Sequence, residues 1–148
     1  GYENGCSQVM FLDAETGTHI EELGGMNLFF VYKDGHVATP ALDGNILHGI
    51  TRDSVITLIR DRGIQLEERL ISLDEVRAGV NSGDITEIFA CGTAAVITPV
   101  GQLKSRLETI GDEDAPAGEL TVSLRQELTG IQYGLVEDRH NWLVKLSD

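Results

Sequence analysis

The hydrophobic and polar positions change rhythm several times along the chain. Asn27-Leu28-Phe29-Phe30-Val31-Tyr32 is aromatic, branched and free of breakers, which predicts a strand. Lys33-Asp34-Gly35-His36 carries Asp-Gly, the preferred chemistry of a hairpin turn, and Val37-Ala38-Thr39 returns as the partner strand, ended by Pro40. Upstream, the apolar run 8–12 predicts a buried strand and 19–22 an extended segment. After Gly49 the period becomes helical: Val55, Ile56, Leu58 and Ile59 form one stripe, with Thr51 as the expected N-cap and Gly63 as the stop. Residues 65–71 read as a strand in which Leu66 alternates with charged neighbours. Ser72-Leu73-Asp74-Glu75 is a capping box opening a short helix on Leu73, Val76 and Val80. Strands follow at 85–90 and 96–98, the second broken at Pro99. An acidic surface loop is expected at 111–118. Leu120, Leu124, Leu128 and Ile131 mark a last helix over about 119–133, ended by Gly134, and the apolar tail 141–144 is expected to dock back. The result is one domain of the α/β class with α+β mixing, without repeats or low-complexity stretches.

Composition narrows the partners more than the fold. At 148 residues and 41% hydrophobic, the chain is long and apolar enough to bury a core. A formal net charge of -13 opposes nucleic acid or an anionic membrane as partner and suits solubility. No apolar run approaches the roughly 18 residues of a membrane span, and Gly1 to Cys6 lack the features of a signal peptide. Cys6 and Cys91 lie far apart, and the four histidines have no metal-ligand spacing, so a disulfide framework and a zinc site are not expected and a cytoplasmic setting is.

An anion bound by so acidic a chain must be held locally, and two glycine-punctuated turns can do so. Leu47-His48-Gly49-Ile50-Thr51-Arg52 leads into a helix whose free N–H groups and dipole favour a phosphate, and glycine permits close backbone approach. An ordinary helix cap explains the same residues. Ala90-Cys91-Gly92-Thr93-Ala94-Ala95 can present N–H groups and a hydroxyl to an oxyanion, or be a tight turn between strands. A third stretch, Glu21-Glu22-Leu23-Gly24-Gly25-Met26-Asn27, places two carboxylates before a Gly-Gly kink. Either both are solvated, or one turns inward to hold a protonated nitrogen. Cys91 reads as a small buried thiol rather than a nucleophile, and His48 as a loop residue. Lys33, Lys104 and Lys145 read as solvated amines.

In order, these stretches resemble the branched-chain-amino-acid aminotransferases, pyridoxal-phosphate enzymes of the D-amino-acid-aminotransferase-like fold. The likeness runs through Glu21 to Val31, Leu47 to Ser54, Gly92 to Val100 and Gly130-Ile131-Gln132-Tyr133-Gly134, essentially the whole chain. It implies the large C-terminal domain of that fold, a mixed sheet or pseudo-barrel with flanking helices, with residues 1–148 as most of that cofactor-binding domain. It implies that Glu22 holds the pyridine nitrogen of pyridoxal 5'-phosphate and that Leu47 packs on the ring. The N–H groups of Ile50 and Thr51 and the hydroxyl of Thr93 would hold the phosphate, and the N–H groups of Thr93 and Ala94 would face the substrate carboxylate. The parent would move an amino group between leucine, isoleucine or valine and 2-oxoglutarate, as a homodimer.

Departures from the family accompany the likeness. His48 stands where proline is usual, and Cys91 where many relatives have serine. Ala95-Val96-Ile97-Thr98 lacks the redox Cys-x-x-Cys of animal relatives. The Schiff-base lysine of the family lies upstream of the stretch matching Asn4-Gly5-Cys6, so the chain alone is expected to be inactive. An incomplete domain is also expected to expose apolar surface. D-amino-acid aminotransferase or aminodeoxychorismate lyase activity on the same fold, or a non-catalytic domain that binds a phosphorylated ligand or a partner, are the competing readings.

Overall fold

Strand β3 (Asn27–Tyr32) is buried on both faces through its first five residues, as its unbroken apolar run requires. It is the middle of a five-stranded sheet in a computed structural model that describes residues 5–42 and 44–146. Gly1 to Asn4, part of the stretch without signal-peptide features, lie outside the described residues. The neighbours of β3 are β4 (Val37–Pro40) and β6 (Ile85–Gly92), both antiparallel to it. Outside them lie β5 (Leu66–Arg69), parallel to β4, and β7 (Val96–Pro99), antiparallel to β6. The β3–β4 turn forms as the Asp-Gly pair predicts, with Gly35 at φ 92° and the Tyr32 N–H donating to His36 O at 2.9 Å.

Helix α1 (Ile50–Asp61) and helix α3 (Glu119–Gln132) cover one face of the sheet. Phe29, Val31 and Phe89 meet Val55, Leu58, Ile59, Leu124, Leu128 and Ile131 there. Phe29 and Phe89, opposite each other in register, stack with ring centroids 4.9 Å apart. The other face carries Leu28, Phe30 and Ala90. It is closed by Ile20 and Leu23 of β2 (Ile20–Leu23) and by Val76 of α2 (Leu73–Ser82). The alternation of Phe29 and Val31 with Leu28 and Phe30 therefore sorts one strand into two cores. Ser72 caps α2 as expected, its Oγ accepting from the Glu75 N–H at 3.0 Å. The Glu75 carboxylate does not return to complete the box; it takes the Arg69 guanidinium and the Tyr32 hydroxyl instead.

Several expectations need correction. The run at 8–12 is strand only at β1 (Met10–Leu12), which pairs with β2; Val9 is 46% and Phe11 50% exposed, because none of the described residues covers the outer side of that hairpin. Thr51 is not the N-cap of α1: Gly49 is, with no side-chain cap, and Thr51 is the second helical residue. The strand expected over 65–71 is four residues long, and the one expected over 85–90 runs on to Gly92. Pro99 ends β7 as expected, at a sheet edge where its missing N–H costs no ladder bond. A small hairpin of β8 (Gln102–Lys104) and β9 (Thr109–Gly111) was not anticipated, for each strand has three residues and only Ile110 is buried. The tail docks through Trp142, which packs against the core under α1 and α3, while Leu143 and Val144 stay exposed.

Candidate functional site

The hairpin of β1 and β2 fixes the direction of the two adjacent glutamates. Strand alternation sends them to opposite sides: Glu21 reaches outward, its Oε1 accepting from Asn45 Nδ2 at 3.3 Å, whereas Glu22 buries its Oε2 without a hydrogen-bond partner among the described residues. A buried carboxylate oxygen with no donor costs about 1–3 kcal/mol. A donor carried by a ligand would satisfy it.

Leu47 O accepts two bonds, from Gly49 N–H at 2.9 Å and from Asn27 Nδ2 at 3.1 Å. These fold the chain tightly just before α1. With no side-chain cap at Gly49, the first N–H groups of the helix, those of Ile50 and Thr51 among them, keep their donor capacity for an outside acceptor. Leu47 and Ile50 are 63% and 85% exposed, unusual for apolar residues beside a polar turn. The third stretch follows β6, where Gly92 closes onto Met26: a Cβ at Gly92 would lie 2.9 Å from Met26 Cγ. Thr93 and Ala94 stand exposed on the turn to β7. That turn closes with Val96 at φ 58°, a left-handed conformation that costs a β-branched residue roughly 1–3 kcal/mol.

All three stretches meet at one end of the sheet, where β3 begins and β6 ends. Asn27 pairs with Cys91 in register, Gly92 touches the Gly-Gly turn that follows Glu22, and the Asn27 side chain holds the Leu47–Gly49 turn. Lys33 lies at the opposite end, beyond the last residue of β3, and is exposed like Lys104 and Lys145. A cavity of about 700 Å³ lies elsewhere, between the two small hairpins, and none of Glu22, Leu47, Ile50, Thr51, Thr93 and Ala94 lines it. Among the described residues no group of His, Cys, Asp and Glu could hold a metal ion, and no helix is long and apolar enough to cross a membrane.

Two polar residues went without a role in the sequence reading. Asn27 is 5% exposed in an otherwise apolar strand. Arg52, 1% exposed, donates from Nη2 to Pro40 O at 3.1 Å and to Glu68 Oε2 at 2.9 Å. Burial raises the pKa of Glu68, but Arg52 and Arg60 outweigh it and hold the carboxyl below its ordinary range. Arg52 Nη2 is thus committed to the β4–β5 edge, while the buried Nε has no hydrogen-bond partner among the described residues. The only hint available in the sequence was that Asn27 and Arg52 interrupt apolar stripes.

Cys91 is fully buried, and burial pushes its thiol up to about 12. The thiolate is the reactive form, so N-ethylmaleimide at pH 8 is expected to spare Cys91 in the folded protein and label it on denaturation. Peptide mass spectrometry reads this out. Native labelling of Cys91 as fast as that of half-buried Cys6 would contradict it.

This mixed sheet, with α1 and α3 on one face, α2 on the other and its polar turns gathered at one end, is the fold of the class IV aminotransferases. The family model described as Amino-transferase class IV matches residues 2–103, and the chain belongs to that family. The branched-chain-amino-acid aminotransferase of Mycolicibacterium smegmatis is 49% identical over 148 residues, which cover 98% of this chain and 40% of that protein. The solved branched-chain amino acid aminotransferase from Escherichia coli superposes with a TM-score of 0.82 at 32% identity, covering 100% of this chain and 46% of that one. Another solved branched-chain amino acid aminotransferase, that of T.th. with pyridoxamine 5'-phosphate, gives a TM-score of 0.81 at 30% identity, covering 99% and 44%. The chain therefore spans about 40% of the length of the curated relatives it matches.

Proposed function

We propose that this chain is most of the C-terminal, cofactor-binding domain of a branched-chain-amino-acid aminotransferase, which moves an amino group between leucine, isoleucine or valine and 2-oxoglutarate with pyridoxal 5'-phosphate. The observation that carries the reading is the buried, unpartnered Oε2 of Glu22 beside an uncapped helix start. A pyridine nitrogen and a phosphate would satisfy those two features together. Support comes from the names of the relatives and from the pyridoxamine 5'-phosphate in the T.th. structure.

In this reading the N–H groups of Ile50 and Thr51 and the hydroxyl of Thr93 hold the phosphate, a task suited to a helix start. Leu47 gives its exposed side chain as a floor for the ring, which explains an apolar group left in solvent. Glu22 accepts a hydrogen bond from the ring nitrogen and keeps it protonated. When bound, the cofactor supplies an electron sink for charge released on the substrate carbon, and the Glu22 carboxylate deepens that sink. Thr93 and Ala94 turn their N–H groups to the substrate carboxylate and fix which end of the amino acid faces the ring. Covalent attachment of the cofactor and proton transfer belong to parts of the full-length enzyme that this chain does not span. That enzyme acts as a homodimer.

The test is a substrate panel on the full-length protein loaded with pyridoxal 5'-phosphate. Turnover of L-leucine, L-isoleucine and L-valine with 2-oxoglutarate is expected, with none measurable for D-alanine. Selective turnover of D-alanine, or lyase activity on aminodeoxychorismate, would replace the reading by another chemistry on the same fold. The isolated chain is expected to show no turnover.

A further inference from the structure

The phosphate turn has no side chain of its own to hold its shape. Gly49 contributes none, His48 is exposed, and the Leu47 side chain points to solvent. What holds the turn comes from another element. Asn27 is the first residue of the central strand, its backbone is locked in register against Cys91, and its carboxamide is buried. The amide nitrogen donates to Leu47 O at 3.1 Å, on one side of the turn. Its oxygen fills the space on the other side: a Cβ built on Gly49 would stand 2.4 Å from Oδ1 and 3.6 Å from Cγ. One planar group thus grips both ends of Leu47-His48-Gly49, the three residues that set the direction of the following N–H groups. Asn27 is followed directly by Leu28, Phe29 and Phe30, which anchor the two cores, so the strand that carries it cannot shift without disturbing both.

We propose that Asn27 is the positioning residue of the phosphate turn, clamping Leu47–Gly49 so that the N–H groups of Ile50 and Thr51 converge on the phosphate. The proposal rests on the cofactor reading of that turn and deepens it. Asn27 does not touch the cofactor; it acts through the backbone. Gly49 is required here for lack of room as much as for its conformation, since Asn27 occupies the place of its side chain. The Glu22 end of the site does not depend on the clamp, so its effect is confined to the phosphate.

The test compares pyridoxal 5'-phosphate with pyridoxal, which lacks the phosphate, in equilibrium dialysis against the full-length protein and its variants. Asn27→Ala is expected to raise the Kd for pyridoxal 5'-phosphate about tenfold, as loss of a buried orienting hydrogen bond does, and to leave the Kd for pyridoxal within about twofold. Gly49→Ala alone is expected to weaken pyridoxal 5'-phosphate at least as much. In the Asn27→Ala background it is expected to add little, because the space is then free. Asn27→Asp keeps the shape and removes the donor, and gives the same selective loss if Asn27→Ala fails to fold. Equal weakening of both ligands, an unchanged Kd for pyridoxal 5'-phosphate, or additive effects of the two substitutions would overturn the clamp. A native protein that binds both ligands equally would instead overturn the phosphate cradle itself, and the clamp with it.

Discussion

Replacing Glu22 is expected to separate stability from activity in opposite directions. The buried Oε2 has no donor among the described residues, so the cofactor-free protein carries the cost of an unsatisfied carboxylate oxygen, about 1–3 kcal/mol. Glu22→Leu removes that group and is expected to raise the melting temperature of the cofactor-free full-length protein by about 2–4 °C for each kcal/mol relieved. The same substitution leaves the ring nitrogen without its acceptor. Glu22→Gln keeps the size and loses the charge, and an amide cannot hold the nitrogen protonated. Removing one placed charge partner from an active site costs roughly 10²–10³ in rate, so kcat/KM for L-leucine is expected to fall at least about a hundredfold in Glu22→Gln. The fall should lie mainly in kcat, since the carboxylate acts on the charge developing during reaction more than on substrate binding. The checks are thermal melts with and without pyridoxal 5'-phosphate and steady-state kinetics across the three branched substrates. A Glu22→Leu protein that melts below the native one when cofactor-free would mean that Oε2 is satisfied in solution. A Glu22→Gln enzyme with near-native kcat would remove Glu22 from the site.

Much of this arrangement was legible in the sequence because the signals were local. The run Asn27 to Tyr32 and the Asp34-Gly35 turn state a hairpin without help from the rest of the chain, and the stripe of Leu120, Leu124, Leu128 and Ile131 states a helix. The motif order was more informative than any single motif, and it pointed to the right family. What failed to read depended on contacts distant in sequence. Thr51 has the chemistry of an N-cap, yet the helix starts two residues earlier, because Asn27 pins Leu47 and closes the turn there. The apolar run at 8–12 has the look of core, but burial depends on cover, and Phe11 has none among the described residues. Asn27 itself passed as one polar residue in a strand, since its partner lies 20 positions on. Val96 gave no sign of its left-handed backbone, which the three-residue turn before it imposes.

A second large effect is expected far from the site, at the start of α3. That helix opens at Gly118, which offers no side-chain cap. Glu87, on β6 beneath that helix, supplies one. Its Oε1 accepts from Leu120 N–H at 3.1 Å, and its Oε2 accepts from Thr121 N–H at 2.9 Å and from the Thr121 hydroxyl at 2.7 Å. A carboxylate at a helix N-terminus also meets the positive end of the dipole. Glu87→Ala leaves these donors unpaired, with Thr121 only 1% exposed. Cap loss costs about 1–2 kcal/mol, and a buried donor left without its charged acceptor adds to that. About 3 kcal/mol is therefore expected in all, which at this size lowers the melting temperature by roughly 6–12 °C. Gly118→Ala reaches the same end by another route: its Cβ would lie 1.9 Å from Glu87 Cδ and 2.2 Å from Oε2, so the carboxylate must leave. The two substitutions act on one contact and should not add. In the Glu87→Ala background, Gly118→Ala is expected to cost little further, because the space it needs is then open. Thermal melts of the two single variants and the double variant decide the matter. Fully additive losses would show that Gly118 and Glu87 stabilise the protein separately, and that α3 begins without a cap from the sheet.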